Sequence, residues 1–405
     1  MDPTQALDGI RVVDFSIAGV GPLTTHHFAD FGAEVIKVET STRLDVMRRH
    51  GPWVGGPPDA DKAVMFHRYN QNKRGIQLNL KRPEGVALAK GLVKVADVVA
   101  ENWTVGAIDR LGLGFQDLKK VKPDLIMIAM SLAGQSGPYQ NFRGHGPVLA
   151  AMTGLYEVTG WPDKEPMSPG GALTDHFLPP VWVTAVMAAL EYRNRTGKGQ
   201  FIDASDFEAA IDLLGTAIMD YSANGHVQTR RGNSDPEASP HGVYRCQGDD
   251  RWCAITVFNE EQWRAFCHVL GNPPWTEEER FSTEPQRREH TDELDRLIEN
   301  WTQQRDAEEA ATVLQEAGVP AGISLDSAQV RDEPQLDHRG HFWDVEDPEA
   351  KSFTYESSPC ALSATPARFR RTAPSLGEAN GYVYSELLGL SDGEFARLVE
   401  EGVIE

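Results

Sequence analysis

Short apolar runs alternate with segments of helical periodicity over residues 1–225. An uninterrupted apolar run of about four to eight residues is typical of a strand buried on both faces. Regular alternation of such strands with helices predicts a parallel sheet covered by helices on each side, and so a Rossmann-like α/β domain. The predicted strands are Arg11–Phe15, Glu34–Val38, Asp97–Ala100 and Leu125–Met130, and the clearest predicted helix is Pro83–Ala96.

The pattern changes after residue 225. A polar loop, Arg230–Pro240, leads into two β-rich runs around Gly248-Asp249-Asp250, which predicts a hairpin. Helical patterns follow, so we expect a smaller α+β domain over residues 226–325, and a return of residues 326–405 over the large domain. The predicted hairpin strands are Gly242–Cys246 and Arg251–Val257, and the predicted helices are Glu260–Leu270, Asp292–Gln303 and Ala307–Ala317.

The charge balance restricts the partners of the protein. The chain carries 39 Lys and Arg residues against 60 Asp and Glu residues, so its formal net charge is −21. The sequence contains no basic run, which argues against a nucleic-acid partner. A polyanionic ligand of so acidic a protein needs cations placed at discrete points.

The cysteines and the N-terminus indicate the compartment. The cysteines lack the spacing of metal ligands, and their small number in 405 residues is typical of reduced thiols. The N-terminus shows no signal-peptide pattern, and no apolar stretch reaches the length of a membrane span. We therefore expect a cytoplasmic protein with no metal and no membrane partner.

A glycine turn, Gly19-Val20-Gly21-Pro22, follows the first predicted strand. It lacks the third glycine of the dinucleotide-binding fingerprint, and Pro22 stands where that fingerprint has none. NAD binding is therefore disfavoured. A glycine turn that lets a helix pack against the strand explains the pattern better.

Asp175 is the strongest candidate for chemistry. It follows the glycine-rich segment Gly170–Thr174 and precedes an apolar run, Val181–Leu190. A carboxylate at the start of a buried helix lies near backbone N–H groups and little water, so it can hold an anion or react. The alternative is a helix N-cap, the commonest role of Asp at such a position.

Several further segments, in order along nearly the whole chain, resemble family III (CaiB/BaiF-type) CoA-transferases. The stretch from Gly170 to Asp203 closely resembles the active-site stretch of that family. The other matching segments are Leu7–Phe15, Gly32–Glu39, Asn70–Arg74, Glu101–Trp103, Asp109–Gly112, Arg339-Gly340 and Ala373–Glu378.

The resemblance implies an interlocked-dimer CoA-transferase fold, in which each chain threads through the other. It implies that Asp175 takes the acyl group or CoA covalently, with coenzyme A and acyl-CoA as substrates and no permanently bound cofactor. The partner is a second copy of the chain or a related subunit. The residues that we expect to contact CoA are Asn102, Trp103, Arg110, Lys73, Arg74, Leu78, Ala18 and Arg43.

The residue types fit a CoA ligand. Arginine offers a forked donor set for phosphates, and Lys73 lies at the end of a polar loop before a strand. Asn102 and Trp103 follow a predicted strand, where ligands bind in open α/β sheets, and Trp103 could stack on adenine. The alternative for each Lys or Arg is a solvated surface charge.

In the family scheme, the Asp175 carboxylate attacks the acyl-CoA and forms an anhydride. The CoA thiolate then forms an aspartyl-CoA thioester, which an acceptor acid discharges. Backbone N–H groups of the glycine turns stabilise the oxyanions. Succinyl-CoA is the expected donor and a bulky or aromatic acid the expected acceptor. The candidate turns are Gly19–Gly21, Gly134–Gly137 and Gly170-Gly171.

His145 leaves a second reaction open. It matches the catalytic His of the α-methylacyl-CoA racemases, which with Asp175 would exchange an α-proton. Gly146 stands where those enzymes have Asp, so racemization ranks second. The loop at Arg231-Gly232-Asn233 lacks the glycine run of formyl-CoA transferases, which disfavours oxalate or formate. The residues expected to line the acyl pocket are His145, Gly19, Phe177 and Tyr244.

Overall fold

The computed structural model describes residues 5–346 and 353–405. The chain forms two compact units. The large unit comprises residues 5–155, 168–225, 334–346 and 353–405, and the small unit comprises residues 156–167 and 226–333. The small unit is therefore built from two separate stretches of the chain.

A parallel sheet forms the centre of the large unit. Its six strands are β1 (Arg11–Asp14), β2 (Glu34–Glu39), β3 (Arg74–Gln77), β4 (Val98–Glu101), β5 (Ile126–Ser131) and β6 (Phe201–Ser205). They pair in the order β3-β2-β1-β4-β5-β6, all parallel. This is the Rossmann order, and such sheets bind ligands at their carboxyl edge beside the point where the order reverses. The predicted Rossmann-like α/β class is confirmed, and the four predicted strands lie within one residue of the observed ends.

Helices connect the strands on both faces of the sheet. Pro83 opens one of them at the first helical position, where its fixed φ suits the helix. Gly197 ends the longest one in the left-handed conformation, at φ 71°. The helices before residue 226 are α1 (Val20–Asp30), α2 (Val64–Asn70), α3 (Pro83–Lys94), α4 (Ala107–Arg110), α5 (Phe115–Val121), α6 (Gly146–Met152), α7 (Leu155–Val158), α8 (Leu173–Phe177), α9 (Pro179–Thr196), α10 (Asp206–Ile211) and α11 (Gly215–Asn224). Short 3₁₀ turns lie at Ser41–Arg43, Val46–Arg48, Ala60–Lys62 and Asp212–Leu214.

Neighbouring residues of one strand enter two different cores. Val13 of β1 packs in a cluster with Leu92 of α3, whereas Val12 packs in a cluster with Phe28 of α1 and Val186 of α9. Successive side chains of a strand point to opposite faces, so both faces of the sheet are buried. This explains the uninterrupted apolar runs in the sequence.

The small unit contains a three-stranded antiparallel sheet packed against helices. Its strands are β7 (His241–Arg245), β8 (Trp252–Thr256) and β9 (Ala321–Ile323), paired in the order β7-β8-β9. The predicted hairpin and the three predicted helices lie within one residue of the observed ends. The helices are α12 (Glu260–Val269), α13 (Glu284–Glu289), α14 (Thr291–Thr302), α15 (Ala307–Glu316) and α16 (Ser327–Arg331), with 3₁₀ turns at Pro274–Glu277 and Glu279–Phe281.

The last segment packs against the β3 edge of the large sheet. The buried Tyr384 hydroxyl donates a hydrogen bond of 2.7 Å to the Gln77 carbonyl. The Asn79 N–H donates to the Val403 carbonyl at 2.9 Å. These contacts complete the core on that face. The elements of the segment are α17 (Pro334–His338), the antiparallel pair β10 (Phe342–Val345) and β11 (Phe353–Glu356), a π-helix (Gly381–Leu387) and α18 (Asp392–Glu400).

One stretch of the described residues, Leu173–Thr196, is long and apolar enough to cross a membrane by length and composition alone. It spans 24 residues with a mean hydropathy of 1.2, although the sequence was expected to hold no stretch of that length. Its larger part, α9, packs against α1 and the sheet. Core helices of globular proteins pass the same test, so the stretch is weak support for a membrane span.

Two glycines of α3 provide a matched test of how this helix packs against its surroundings. A Cβ at Gly85 would lie 2.2 Å from the Asn79 carbonyl oxygen, whereas a Cβ at Gly91 would meet only Leu388, at 3.9 Å. We expect Gly85→Ala to lower the free energy of unfolding by about 1–3 kcal/mol through overpacking. Gly91→Ala should raise it by about 0.5–1 kcal/mol through helix propensity. Urea unfolding followed by circular dichroism measures both, and equal effects would contradict the packing of α3.

Candidate active site

A cavity of 540 Å³ opens at the carboxyl edge of the large sheet. Its walls come from the turn after β1, the loop after β4, the end of β5 and the first residues of α6 and α10, with Asp175 of α8. Ligands of open α/β sheets bind at this edge. The cavity therefore lies where the fold favours a binding site.

The Asp175 carboxylate lies between two glycines of different segments. A Cβ at Gly19 would be 2.5 Å from Asp175 Oδ2, and a Cβ at Gly146 would be 3.0 Å from Oδ1. Only glycine at both positions lets the main chain approach the carboxylate so closely. Asp175 is the third residue of α8, whose N-cap is Ala172, so the helix-cap alternative is wrong.

Burial shifts the ionisation of Asp175. Loss of water raises the pKa of this carboxyl to about 6, although His145 and the Thr174 hydroxyl act to lower it. At neutral pH the group is still largely ionised, but it is poorly hydrated. A poorly hydrated carboxylate is a better nucleophile than one in water. The site thus holds a poorly hydrated carboxylate beside an open cavity.

The turn that carries Gly19 is held from two sides. Asn102 accepts a hydrogen bond from the Ile17 N–H at 2.8 Å and donates one to the Ile17 carbonyl at 2.7 Å. Ala18 adopts φ 63°, a conformation rare for a non-glycine residue, and its N–H donates to Asp45 Oδ1 at 3.1 Å. Asn102 therefore positions the turn, in addition to lining the cavity.

A buried network of charges lies beneath this turn. Lys73 pairs with Asp14 at 3.0 Å, and Lys37 pairs with Asp45 at 3.2 Å. Lys37 also donates to the Ser16 carbonyl at 2.8 Å. Burial acts to raise the pKa of Asp14, but the two lysines and neighbouring hydroxyls outweigh it and lower that pKa to about 2. The network therefore joins β1, β2 and the start of β3 under the active-site turn.

Lys73 was expected to clamp a CoA phosphate, but the structure places it inside this network. Its side chain is fully buried, and burial lowers its pKa to about 8. Besides Asp14, its ammonium donates to the Pro22 carbonyl, the Thr25 hydroxyl and the Asn70 amide oxygen. A phosphate contact would have to break these bonds, so the position of Lys73 favours a structural role.

A second cavity, of 450 Å³, adjoins the first. Ile17, Asn102, Trp103 and Thr104 line both cavities. The Trp103 indole donates to the Phe15 carbonyl at 2.7 Å, which fixes the ring at the shared wall. The two cavities form a groove that suits a long ligand with two chemically different ends. Of the expected CoA contacts, Leu78 and Arg43 line the second cavity.

The structure does not bring every expected residue to the groove. Exposed Arg110 lies on α4 and lines neither cavity. Arg74 pairs with Glu34 at 3.1 Å and stacks 4.3 Å from the centre of the Tyr382 ring. Phe177 follows Asp175 by two residues and is 53% exposed. None of these positions is a lining residue of the groove.

Tyr244, expected in the acyl pocket, belongs to the small unit. It is buried on β7, and its hydroxyl donates to Asp295 Oδ1 at 2.7 Å. It also lines a cavity within that unit. The acyl-pocket role of Tyr244 remains a sequence-based expectation.

Sequence reasoning missed five polar residues of the first cavity: Thr104, Ser131, Gln140, Arg143 and Asp206. Ser131 ends β5, and Asp206 directly follows β6. Polar residues directly after buried strands are the signal that could have found Ser131 and Asp206. β6 was not predicted as a strand, so Asp206 escaped notice.

One group of side chains among the described residues could offer ligands to a metal ion. It consists of His26, His27 and Asp30 of α1, whose ligand atoms all lie within 4.8 Å of one another. Asp30 already accepts hydrogen bonds from Asn72 at 2.7 Å and from Gln71 at 3.3 Å. Burial, with His26 and Lys73, lowers the pKa of His27 to about 3. Asp30 thus serves the loop before β3, and the group lines neither cavity.

An α/β fold of Rossmann order thus carries a poorly hydrated carboxylate beside two adjoining cavities, which is typical of an enzyme site. The model of CoA-transferase family III matches residues 7–380. The chain belongs to CoA-transferase family III. It is accordingly a CoA-transferase, an enzyme class whose substrates are CoA thioesters and carboxylic acids.

Relatives agree with this assignment over almost the whole length. The chain is 34% identical over 402 residues to the succinyl-CoA–D-citramalate CoA-transferase of Chloroflexus aurantiacus, covering 99% of each chain. It is 34% identical over 383 residues to the succinate–glutarate CoA-transferase of Agrobacterium fabrum, covering 94% of this chain and 95% of that one. The crystal structure of a CaiB/BaiF family protein from Brucella suis superposes with a TM-score of 0.87 at 32% identity, covering 95% of this chain and 100% of that one.

The contact between Gly19 and Asp175 gives a test of the site. We expect Gly19→Ala to lower kcat/KM roughly hundredfold or more, because the new methyl group displaces the carboxylate by the order of 1 Å. Steady-state CoA transfer measures the change, and circular dichroism verifies folding. Gly215→Ala is the matched control, since a Cβ there meets nothing within 4 Å. Equal activity of the two variants would contradict the placement of Asp175.

The buried pair of Lys73 and Asp14 gives a test of the network. Lys73→Met should lower the free energy of unfolding by about 3–5 kcal/mol, because Asp14 is left as an unpaired buried charge. Adding Asp14→Asn should restore part of the loss by removing that charge. Urea unfolding measures both variants. A Lys73→Met protein of normal stability with weakened CoA binding would instead favour the phosphate contact.

Proposed function

We propose that the enzyme moves CoA from an acyl-CoA to a carboxylic acid through covalent intermediates on Asp175. The carboxylate attacks the thioester carbonyl, and the C–S bond breaks to give an acyl-aspartyl anhydride and CoA thiolate. The thiolate then attacks the Asp175 carbonyl, which releases the first acid as a carboxylate and leaves an aspartyl-CoA thioester. The acceptor carboxylate reverses these steps with its own acyl group. The poorly hydrated Asp175 carboxylate at the end of a two-part groove carries this proposal.

The two adjoining cavities offer a place for CoA and for the reacting thioester. CoA would lie along the second cavity and the shared wall at Trp103, which brings its sulfur toward the first cavity. The first N–H groups of α1 have no partner within the helix. We propose that N–H groups at Gly19 to Gly21 stabilise the oxyanions, since Gly19 touches the carboxylate that reacts.

We further propose succinyl-CoA as the donor and a small dicarboxylic acid as the acceptor. The names of the two relatives above pair succinyl-CoA or succinate with citramalate or glutarate, all of which are dicarboxylic. Among the described residues that line the first cavity, the one long cationic side chain is that of Arg143. Its guanidinium would attract the distal carboxylate of the dicarboxylic acid. This proposal replaces the bulky or aromatic acceptor expected from the sequence.

Proton exchange at an α-carbon is the second candidate. His145 and Asp175 line one cavity, and the histidine influences the carboxyl electrostatically, as a racemase pair would. Transfer ranks first because the relatives are CoA-transferases. Deuterium uptake from solvent at the α-carbon of a branched acyl-CoA, without an acceptor acid, would favour racemization.

We propose that the protein acts in the cytoplasm as an interlocked homodimer. Large apolar side chains remain exposed on helices of the single chain, among them Val181 and Met187 of α9 and Ile218 and Met219 of α11. Burying them against a second copy would remove apolar surface from water. A related subunit could take the same place in a hetero-oligomer. Analytical ultracentrifugation distinguishes these assemblies from a monomer.

The covalent step is tested by intact-mass spectrometry after mixing the protein with succinyl-CoA and no acceptor acid. We expect an adduct that maps to Asp175, is absent from Asp175→Ala, and disappears when glutarate is added. Its rate of formation should fall as pH drops below about 6, because only the ionised carboxylate attacks. Asp212→Asn, an exposed carboxylate change, is the control. An adduct that persists in Asp175→Ala would overturn the assignment of the nucleophile.

A further inference from the structure

A second carboxyl group, Asp206, faces the same cavity as Asp175. It is the first residue of α10, directly after β6, and only 7% of it is exposed. The N-cap of that helix is Ser205, whose hydroxyl accepts from the Glu208 N–H. Asp206 is therefore free of a capping role, although it lies at a helix start.

Asp206 and Ser131 share a polar corner of the cavity. Ser131 of β5 pairs with Ser205 of β6, and Asp206 is the next residue after Ser205. Ser131 and Asp206 therefore lie at the ends of neighbouring strands. Within the described residues, neither Asp206 Oδ1 nor Ser131 Oγ has a partner at hydrogen-bond geometry, and both residues are more than nine-tenths buried. The Trp182 indole N–H, which also lacks a partner in this part of the chain, is the nearby donor that lowers the pKa of Asp206. Buried polar atoms are nearly always paired in folded proteins, so two orphans that line one cavity indicate a ligand.

The surroundings hold Asp206 in its neutral form. Burial first, and then the charge of Asp175, raise the pKa of Asp206 to about 8, and the Trp182 indole opposes this more weakly. At pH 7 the cavity thus contains one ionised carboxylate and one carboxylic acid that can donate a hydrogen bond. The other titratable groups on α10 and the elements packed against it are Glu208, Asp212, His145 and His176.

We propose that Asp206 and Ser131 form a neutral hydrogen-bond donor site for the carboxylate of the acid that gives or receives CoA. The proposal deepens the transferase function and rests on it. Each acid enters or leaves as an anion, and the cavity already holds the negative charge of the Asp175 carboxylate. A carboxylic acid donor forms a strong, charge-assisted hydrogen bond to such an anion. It also adds no cation that would pair permanently with Asp175.

The donor site suits the chemistry of the acid. The acceptor carboxylate must keep a reactive oxygen, so one of its two oxygens can be held while the other attacks. A hydroxyl or carboxylic acid holds one oxygen without neutralising the anion, whereas a bidentate arginine engages both. Arg143 remains available for the distal carboxylate of the same acid.

Acid binding without any covalent step provides the test. Succinate binding is measured by calorimetry to protein saturated with desulfo-CoA, which has no thiol and cannot react. We expect Asp206→Leu to weaken binding roughly tenfold to a hundredfold, as for loss of a hydrogen bond to a charged group. Asp206→Asn keeps an N–H donor and should bind succinate as the wild type does at pH 7. Ser131→Ala should show a smaller loss.

The pH dependence separates a donor role from a merely structural one. Wild-type binding should weaken as pH rises through about 8, when Asp206 ionises and repels the acid. Asp206→Asn should lose this dependence, and Glu208→Gln, on the same helix but exposed, should keep it. Wild-type affinity in Asp206→Leu, or an unchanged pH profile in Asp206→Asn, would overturn the proposal. The mass-spectrometric adduct at Asp175 is independent of this measurement, so a failure of the covalent mechanism is recognised separately.

Discussion

The buried charges beneath the active-site turn are the constraint on which the site depends. Asp14 and Lys73, with Lys37 and Asp45, tie three strands together and bond the turn through Ser16 and Ala18. Ionic groups in an apolar interior are costly unless every one of them is paired, so the arrangement tolerates few alternatives. Because the turn is rigid, Gly19 is held against Asp175, and the groups around the carboxylate need little reorganisation during a reaction.

Much of the fold follows from the sequence, because local rules decide it. Apolar runs set the strands and helical spacing sets the helices, and their order alone implied the parallel sheet. β6 escaped because Phe201–Ser205 carries Asp203 and Ser205 among its five residues, which breaks the apolar signal. The site was harder to predict. Asp175 was found through resemblance to a family, whereas the partners of Lys73 lie up to 59 residues away and no local pattern announces them.

The two carboxyl groups of the cavity show how one environment produces two chemical states. Asp175 and Asp206 both lose water, and burial raises the pKa of each. Asp175 also has His145 nearby, whereas Asp206 feels the negative charge of Asp175. The difference of about two units between them separates an anion from an acid at neutral pH. Pairs of titratable groups whose pKa values are pushed apart are a general device for dividing roles in a site.

The two cavities of the groove share one wall and differ in the elements that form the rest of their lining. Ile17, Asn102, Trp103 and Thr104 face both cavities. The residues that line only the first cavity lie in the turn after β1, the loop after β4, the end of β5 with the loop that follows it, and α6, α8 and α10. With CoA in the second cavity, as proposed above, substitutions in these segments would alter the acid that is accepted and leave the CoA contacts unchanged. The architecture thus permits the acid specificity to change during evolution while CoA binding is retained.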